Sequence, residues 1–416
     1  MRPSSNLLKP LAFRDAMETH LEEPGDGTLF RLPDDILSLI VQNLAENRHE
    51  VDFKSLGTLS PSFRQLARTV LFRDVTFDMS PYCYNGILTF LAAEAFERQQ
   101  NRRIHGQTQQ KASLGACIRK VIVDPWGIVD AMTYFHEPLG LVELELEGPT
   151  IAQFETYHVP LIHQVISSLP NLEIVELSGV AISQGLLNSL VGSTVRGVEL
   201  CARMPAICPR IRAMISWPIT NLALNLFADE EFDGILNRSL YWQSILRLCA
   251  PTLQQLTISH LHWSELSFDL SFPKLLYLDI HHIPYICPSA LRSLLLTSKK
   301  LHYLRIDCSE QLVRDVMNTP DEFNNLSILV LHWKRRMVFN YTPRSPLSFI
   351  ANLRGVTSFA FVTPAPQKLS KQILEELHHF HRLEKLWLSW SRSEESRHGG
   401  EEALGLVPRA QAPHID

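Results

Sequence analysis

No stretch of this sequence approaches the ~20 uninterrupted apolar residues that a helix needs to cross a bilayer, so a membrane span and a membrane partner are not expected. The first twenty residues, MRPSSNLLKPLAFRDAMETH, lack the apolar centre of a secretion signal. Positive charge is scarce too: 39 Lys and Arg face 44 Asp and Glu, for a formal charge of -5. Such a chain has no bulk field to hold a phosphate backbone, and nucleic acid is not an expected partner. The seven cysteines are scattered and never spaced as C-x-x-C, which argues against a disulfide framework or a thiolate zinc site. A reducing compartment, cytoplasm or nucleus, follows as the expectation.

Chemistry is equally thin. The glycines of GDGTLF at 25–30 lack the third member and the preceding strand of a dinucleotide site. No G-x-S-x-G elbow occurs, and His136-Glu137 is followed by Pro138 rather than by the second half of a zinc motif. His378 and His381 could share a helix face, but a histidine cluster in a repeat helix is expected to be an ordinary surface feature. The expectation is a protein with no catalytic residues, no metal and no cofactor.

What the chain does have is apolar pattern: 45% of its 416 residues are hydrophobic, enough for one extended domain or several compact ones. The stretch RLPDDILSLIVQNL at 31–44 places Pro33, Asp34 and Asp35 where a helix start favours them. Ile36, Ile40 and Leu44 then fall four apart, beside Leu37 and Val41, making a wide stripe. VDFKSLGTLS follows, and Ser60-Pro61 opens a third helix whose face carries Phe63, Leu66, Ala67 and Val70. Three helices in about fifty residues can hide little of that stripe alone.

The series Leu32-Pro33-Asp34-Asp35-Ile36-Leu37, Ile40, Leu44, Phe53, Leu56, Leu59, Ser60, Phe63, Arg64, Leu66, Ala67, Leu71-Phe72 resembles an F-box, with Phe63 where that family usually has Trp. The resemblance covers residues 29 to 75. It implies that Leu32, Pro33, Ile36, Leu37 and Ile40 dock on a Skp-type adaptor, and through it on the cullin and RING subunits of a ubiquitin ligase.

From residue 118 a second pattern recurs, apolar-x-x-apolar-x-apolar: IRKVIV (118), LVELEL (141), LEIVEL (172), VRGVEL (195), ITNLAL (219), LQQLTI (253), LLYLDI (275), LHYLRI (301), LSILVL (326), VTSFAF (356) and LEKLWL (383). The starts mostly keep the spacing of leucine-rich repeats. Helical stripes lie between them, as in HVPLIHQVISSLPN and in CPSALRSLLLTSKK, where Pro288 marks a start and Leu291, Leu294 and Leu295 one face. The expected fold is an α/β solenoid: an N-terminal three-helix F-box followed by an irregular leucine-rich-repeat horseshoe. A doubly wound α/β domain is the competing architecture, because the spacings also accommodate its crossovers. The Asn or Cys that ties such repeats after the strand does not recur here, so looser stacking is expected.

Boundaries follow: 1–27 a disordered leader, 28–78 the F-box, 79–117 a linker or first irregular repeat, 118–390 the array and 391–416 a disordered tail. Residues 98–114 read as a polar loop. Side chains between the apolar positions of each strand would line the concave face and contact an unknown client protein. They comprise Glu143, Glu145 and Glu147, then Glu176 and Glu199, a carboxylate run that calls for a cation. Later strands offer Tyr277, Asp279, Tyr303, Arg305, Asp307 and Trp387, the residue types that anchor protein interfaces. The expected activity is that of a non-catalytic client-recognition subunit. The alternative is a repeat scaffold whose F-box-like helices only cap the array.

Overall fold

In an apolar-x-x-apolar-x-apolar hexad the last two apolar side chains share one face of a strand, since neighbours alternate. The first closes the turn leading in. A computed structural model describes residues 36, 39–40, 61–79, 83–105, 113–125, 153–180, 182–201, 217–225, 235–259, 270–281, 288–308, 312, 325–333, 355–363 and 382–390. It divides into two units, residues 1–210 and 211–416. For the nine hexads starting at 118, 172, 195, 219, 253, 275, 301, 326 and 356, all three apolar side chains are buried. Each fully buried Leu or Ile contributes roughly 1.5–3 kcal/mol relative to exposure, so these columns are a main source of stability.

In the first unit, α1 (Pro61–Leu71) starts at its proline, where the missing N–H costs nothing, and buries Ala67. The chain then enters β1 (Asp74–Phe77). A π-helical turn, Cys83–Leu88, leads into α2 (Thr89–His105), which buries Leu91, Ala92 and Ala95. β2 (Lys120–Val123) follows a short 3-10 turn whose entry is held by Glu94. That carboxylate accepts from the N–H groups of Leu114 at 3.0 Å and Gly115 at 2.9 Å. Next come α3 (Val159–Ser168), β3 (Ile174–Ser178), α4 (Gln184–Val191) and β4 (Gly197–Cys201). The turn leaving β3 uses Gly179 at φ 64°, a conformation that disfavours any side chain, and its N–H donates to Cys201 O at 2.7 Å. The four strands are parallel and pair in chain order, and α3 packs against both α2 and α4.

The second unit repeats the theme with β5 (Asn221–Asn225), α5 (Ile235–Cys249), β6 (Gln255–Ser259), β7 (Tyr277–His281) and α6 (Pro288–Thr297). It continues with β8 (Tyr303–Cys308), β9 (Ile328–Trp333), β10 (Ser358–Thr363) and β11 (Lys385–Trp390). All seven are parallel and each pairs with its sequence neighbour. The stripe expected at 291–295 is realised, with Leu291, Leu294 and Leu295 buried. Among the described residues no helix is long and apolar enough to cross a membrane.

One junction recurs at the start of nine of the eleven described strands. Two successive N–H groups converge on a single carbonyl of the preceding strand segment: Arg119 and Lys120 on Arg73 O, Leu276 and Tyr277 on Gln254 O, His302 and Tyr303 on Leu276 O. The same pair is made nine times among the described residues, at 2.7–3.0 Å. A carbonyl has two lone pairs, so both donors are met by one acceptor and no backbone group is orphaned at the turn.

A side-chain tie reinforces four of these turns. Immediately before the first apolar position, the Thr194 hydroxyl donates to Leu172 O and the Thr252 hydroxyl to Ile219 O, each at 2.8 Å. Asn171 and Asn325 use their amides in the same place, reaching Ala116 O at 2.7 Å and Lys299 O at 2.6 Å. At these four turns a side-chain tie stands before the strand.

Two other expectations change. A strand forms at 74–77, inside the range assigned to the F-box, on the hexad Phe72-Arg73-Asp74-Val75-Thr76-Phe77. Helix α2 extends through 105, so residues 98–105 are helical rather than loop. Their Gln- and Arg-rich composition is compatible with a helix. β2 pairs directly with β3, Val121 opposite Val175, and the hexad at 141 lies outside the described residues.

Candidate functional site

The front of the chain offers the first surface. Ile36 and Ile40, with Leu39, are helical, and their i, i+3, i+4 spacing puts them on one face. Their relative exposures are 40%, 37% and 49%, high for large aliphatic side chains in adjacent turns. Leu32, Pro33 and Leu37 lie outside the described residues.

On the strands of the first unit, the face opposite the core brings Glu176 and Glu199 directly opposite one another in the β3–β4 register. Like charges so placed repel, and the structure answers with Lys120 from β2, whose Nζ lies 2.6 Å from Glu176 Oε1. Within the fold, the Glu176 carboxylate of this pair therefore has one cation. Glu143, Glu145 and Glu147 lie outside the described residues. Beside this pair, the buried Arg119 guanidinium reaches Glu173 at 2.6 Å and joins the entry of β2 to that of β3.

The second unit carries the densest polar group. Pairing in register sets Tyr277 against Tyr303 and Asp279 against Arg305. The two tyrosine rings stack at 4.0 Å between centroids with 11° between planes. Asp279 is only 5% exposed and is held from three directions: His281 Nδ1 at 2.9 Å, Arg305 Nη1 at 3.5 Å and the Tyr277 hydroxyl, which donates at 3.4 Å. On the next strands Asp307, 7% exposed, stands opposite His332. Burial, then the nearby Asp279 carboxylate, pushes the Tyr277 phenol well above its ordinary range, and burial raises Tyr303 likewise. Both rings therefore stay neutral hydrogen-bonding groups at any physiological pH. Burial is also the main reason His332 is pushed down, helped by Arg305 and His281 against the opposing pull of Asp307 and Asp279.

Five of the predicted strand residues, Tyr277, Asp279, Tyr303, Arg305 and Asp307, are thus brought together. Trp387, half exposed on β11, stands three strands away from β8. His332 and Lys120 were not foreseen as site residues. The signal for both was available, since each occupies an alternate position beside a buried hexad residue.

Among the described residues no three His, Cys, Asp or Glu side chains are grouped to hold a metal ion. Cys83 and Cys249 are buried thiols; burial pushes Cys83 up to about 11 and Cys249 further, which leaves them un-ionised and unreactive. The described residues of β7 and β8 thus combine stacked aromatics, shielded carboxylates and a guanidinium on one strand face. No protein-family model matches this chain, and no curated protein matches its sequence.

Proposed function

We propose that the chain is a non-catalytic client-recognition subunit of a Skp-cullin-F-box type ubiquitin ligase. In this reading the front helices bind the adaptor, and the strand series is a leucine-rich-repeat solenoid whose open face binds a client protein. The observation that carries the first half is the exposure of Ile36 and Ile40, two of the five residues that the F-box resemblance assigns to the adaptor. The second half rests on the recurring hexad, buried at every apolar position in nine repeats and presenting its alternate residues outward. The chain would act by proximity, raising the effective concentration of client lysines near a conjugating enzyme held elsewhere in the assembly.

One observation favours the scaffold reading as a second possibility. Helix α1 packs against the turn at Gly115–Cys117 that precedes β2, as a cap on the array would. Capping by α1 and docking through Ile36 and Ile40 use different residues, so the two readings separate cleanly. Co-expression of the full chain with a Skp-type adaptor is expected to give a co-purifying complex, lost in Ile36→Asp/Ile40→Asp with the circular dichroism of the chain unchanged. A complex that survives the double substitution, or no complex with the parent chain, overturns the ligase reading in favour of the scaffold.

A further inference from the structure

Nine hexads bury all three of their apolar side chains, but the one at 383 does not. On β11 Leu383 and Leu386 are half-buried, whereas Val356 and Phe359, which hold the same positions one strand earlier, are 1% and 2% exposed. Trp387, next along the strand, is half exposed. The backbone repeats the contrast. From Arg73 to Thr357, nine carbonyls at the second hexad position take the doubled N–H contact of the following strand; Glu384 O, in that position on β11, takes none among the described residues. A repeat array covers each apolar column with its next strand, so the side of β11 away from β10 has the shape and polarity of a seat for a strand.

Two ion pairs between β2 and β3 show which charges suit such a neighbour. Arg119, second in its hexad, meets Glu173, second in the next, at 2.6 Å. Lys120, third in its hexad, meets Glu176, fifth in the next, also at 2.6 Å. On β11 the second and third positions hold Glu384 and Lys385, both exposed. The same geometry matches Glu384 with a cation in second place of an incoming segment, and Lys385 with an acid in fifth place. Residues 391–416 contain no apolar-x-x-apolar-x-apolar run of Leu, Ile, Val or Phe. Of the other repeat hexads, nine are buried in place, FRDVTF already forms β1, and LVELEL at 141 has Val where the cation belongs. These facts direct the search for an occupant to another protein.

We propose that the outer edge of β11 docks an extended segment of a partner protein as a further parallel strand, with the form apolar-cation-x-apolar-acid-apolar. Parallel pairing follows from Glu384 O, which would accept from the N–H groups of the second and third residues of the segment as its nine counterparts do. Main-chain hydrogen bonds and the covering of Leu383 and Leu386 give affinity, and the two charge pairs give selectivity. The inference concerns the end of the array and holds whether or not the front helices bind an adaptor.

The test uses the full chain and fluorescein-labelled peptides carrying VRGVEL between Gly-Ser flanks. Controls exchange the charges (VEGVRL), replace the apolar residues (SRGSES) or remove one of the two junction N–H donors (VRPVEL). Fluorescence anisotropy is expected to show VRGVEL binding at least tenfold more tightly than each control, and hydrogen exchange to slow at the amides of 385–390. Glu384→Lys/Lys385→Glu should reverse the preference in favour of VEGVRL, with folding checked by circular dichroism. Should that variant misfold, the peptide series on the parent chain decides alone. Equal binding of the four peptides, no binding at 1 mM, binding without slowed exchange on β11, or a folded exchange variant that still prefers VRGVEL overturns the inference. Two further results would overturn it by naming another occupant. Self-association in sedimentation velocity that VRGVEL disperses would give the edge to a second copy. A tenfold gain in VRGVEL affinity when residues 391–416 are replaced by a Gly-Ser segment would give it to the chain itself.

Discussion

Gly185 sits in the first turn of α4, two residues after the cap Ser183, and its replacement by Ala sets two effects of opposite sign against each other. A Cβ built there would lie 2.8 Å from His163 Nδ1 and 2.9 Å from its Cε1 on α3. Within a helix interior, Gly→Ala is worth about 0.8–1.0 kcal/mol in favour of Ala, and only part of that applies in the first turn. Against it, relief of the contact requires the half-buried imidazole to move by more than half an ångström in a packed interface, a kind of overpacking that costs about 1–3 kcal/mol. The ring is not free to swing, because its Nε2 lies 3.4 Å from Ser183 Oγ, the atom that caps α4 by accepting from Leu186 N at 3.2 Å. Loss of such a cap costs about 0.5–2 kcal/mol, so the net expectation is a destabilisation of about 1–2 kcal/mol. Because a strand-and-helix array can unfold in parts, the measurement is native-state hydrogen exchange at the amides of α3 and α4, supported by urea denaturation. The double variant His163→Ala/Gly185→Ala should be more stable than the sum of the single effects by about 1–2 kcal/mol. Protection that rises in Gly185→Ala alone, or a double variant that is simply additive, refutes the argument.

Burial holds His158, His163 and His332 below their ordinary value of 6.5, so each stays neutral in the folded chain while the unfolded chain takes up the proton first. Their stabilisation is therefore complete above about pH 6.5 and lost as pH falls below it; urea midpoints should drop between pH 7 and pH 5, and a flat profile across that window contradicts the assignment. Thr252→Val removes the tie from Thr252 to Ile219 O and should cost about 1 kcal/mol by urea denaturation, whereas Thr252→Ser should retain most of it. A Val variant as stable as the parent would mean that the hydroxyl only decorates the turn.

The strand positions are readable because burial on one face demands alternation, and Gln255-Leu256-Thr257-Ile258 after Leu253 satisfies it, with Leu256 and Ile258 buried and Gln255 and Thr257 partly exposed. The same alternation is present at Phe72-Arg73-Asp74-Val75-Thr76-Phe77, where Val75 and Phe77 are buried. The residues of the tyrosine cluster were legible one by one, since alternate positions follow from the register. Their coupling was not, because whether Asp279 faces water or is shielded by Arg305 and His281 depends on rotamers and on strand neighbours twenty or more residues apart. Lys120 shows the same limit: it balances Glu176 only because strands fifty residues apart in sequence lie side by side.

The doubled N–H contact on a single carbonyl makes each strand's attachment independent of the length of the connection that precedes it. Connections here differ in length, yet the donors always arrive at the same place. Excision of residues 275–300 would remove one whole module and leave Leu301 following Lys274. The N–H groups of His302 and Tyr303, now given to Leu276, would then inherit Gln254 O, the acceptor that Leu276 and Tyr277 vacate. Such a chain can be shortened or lengthened like a ruler, one graduation at a time, with the reading edge reset and the core rule left intact.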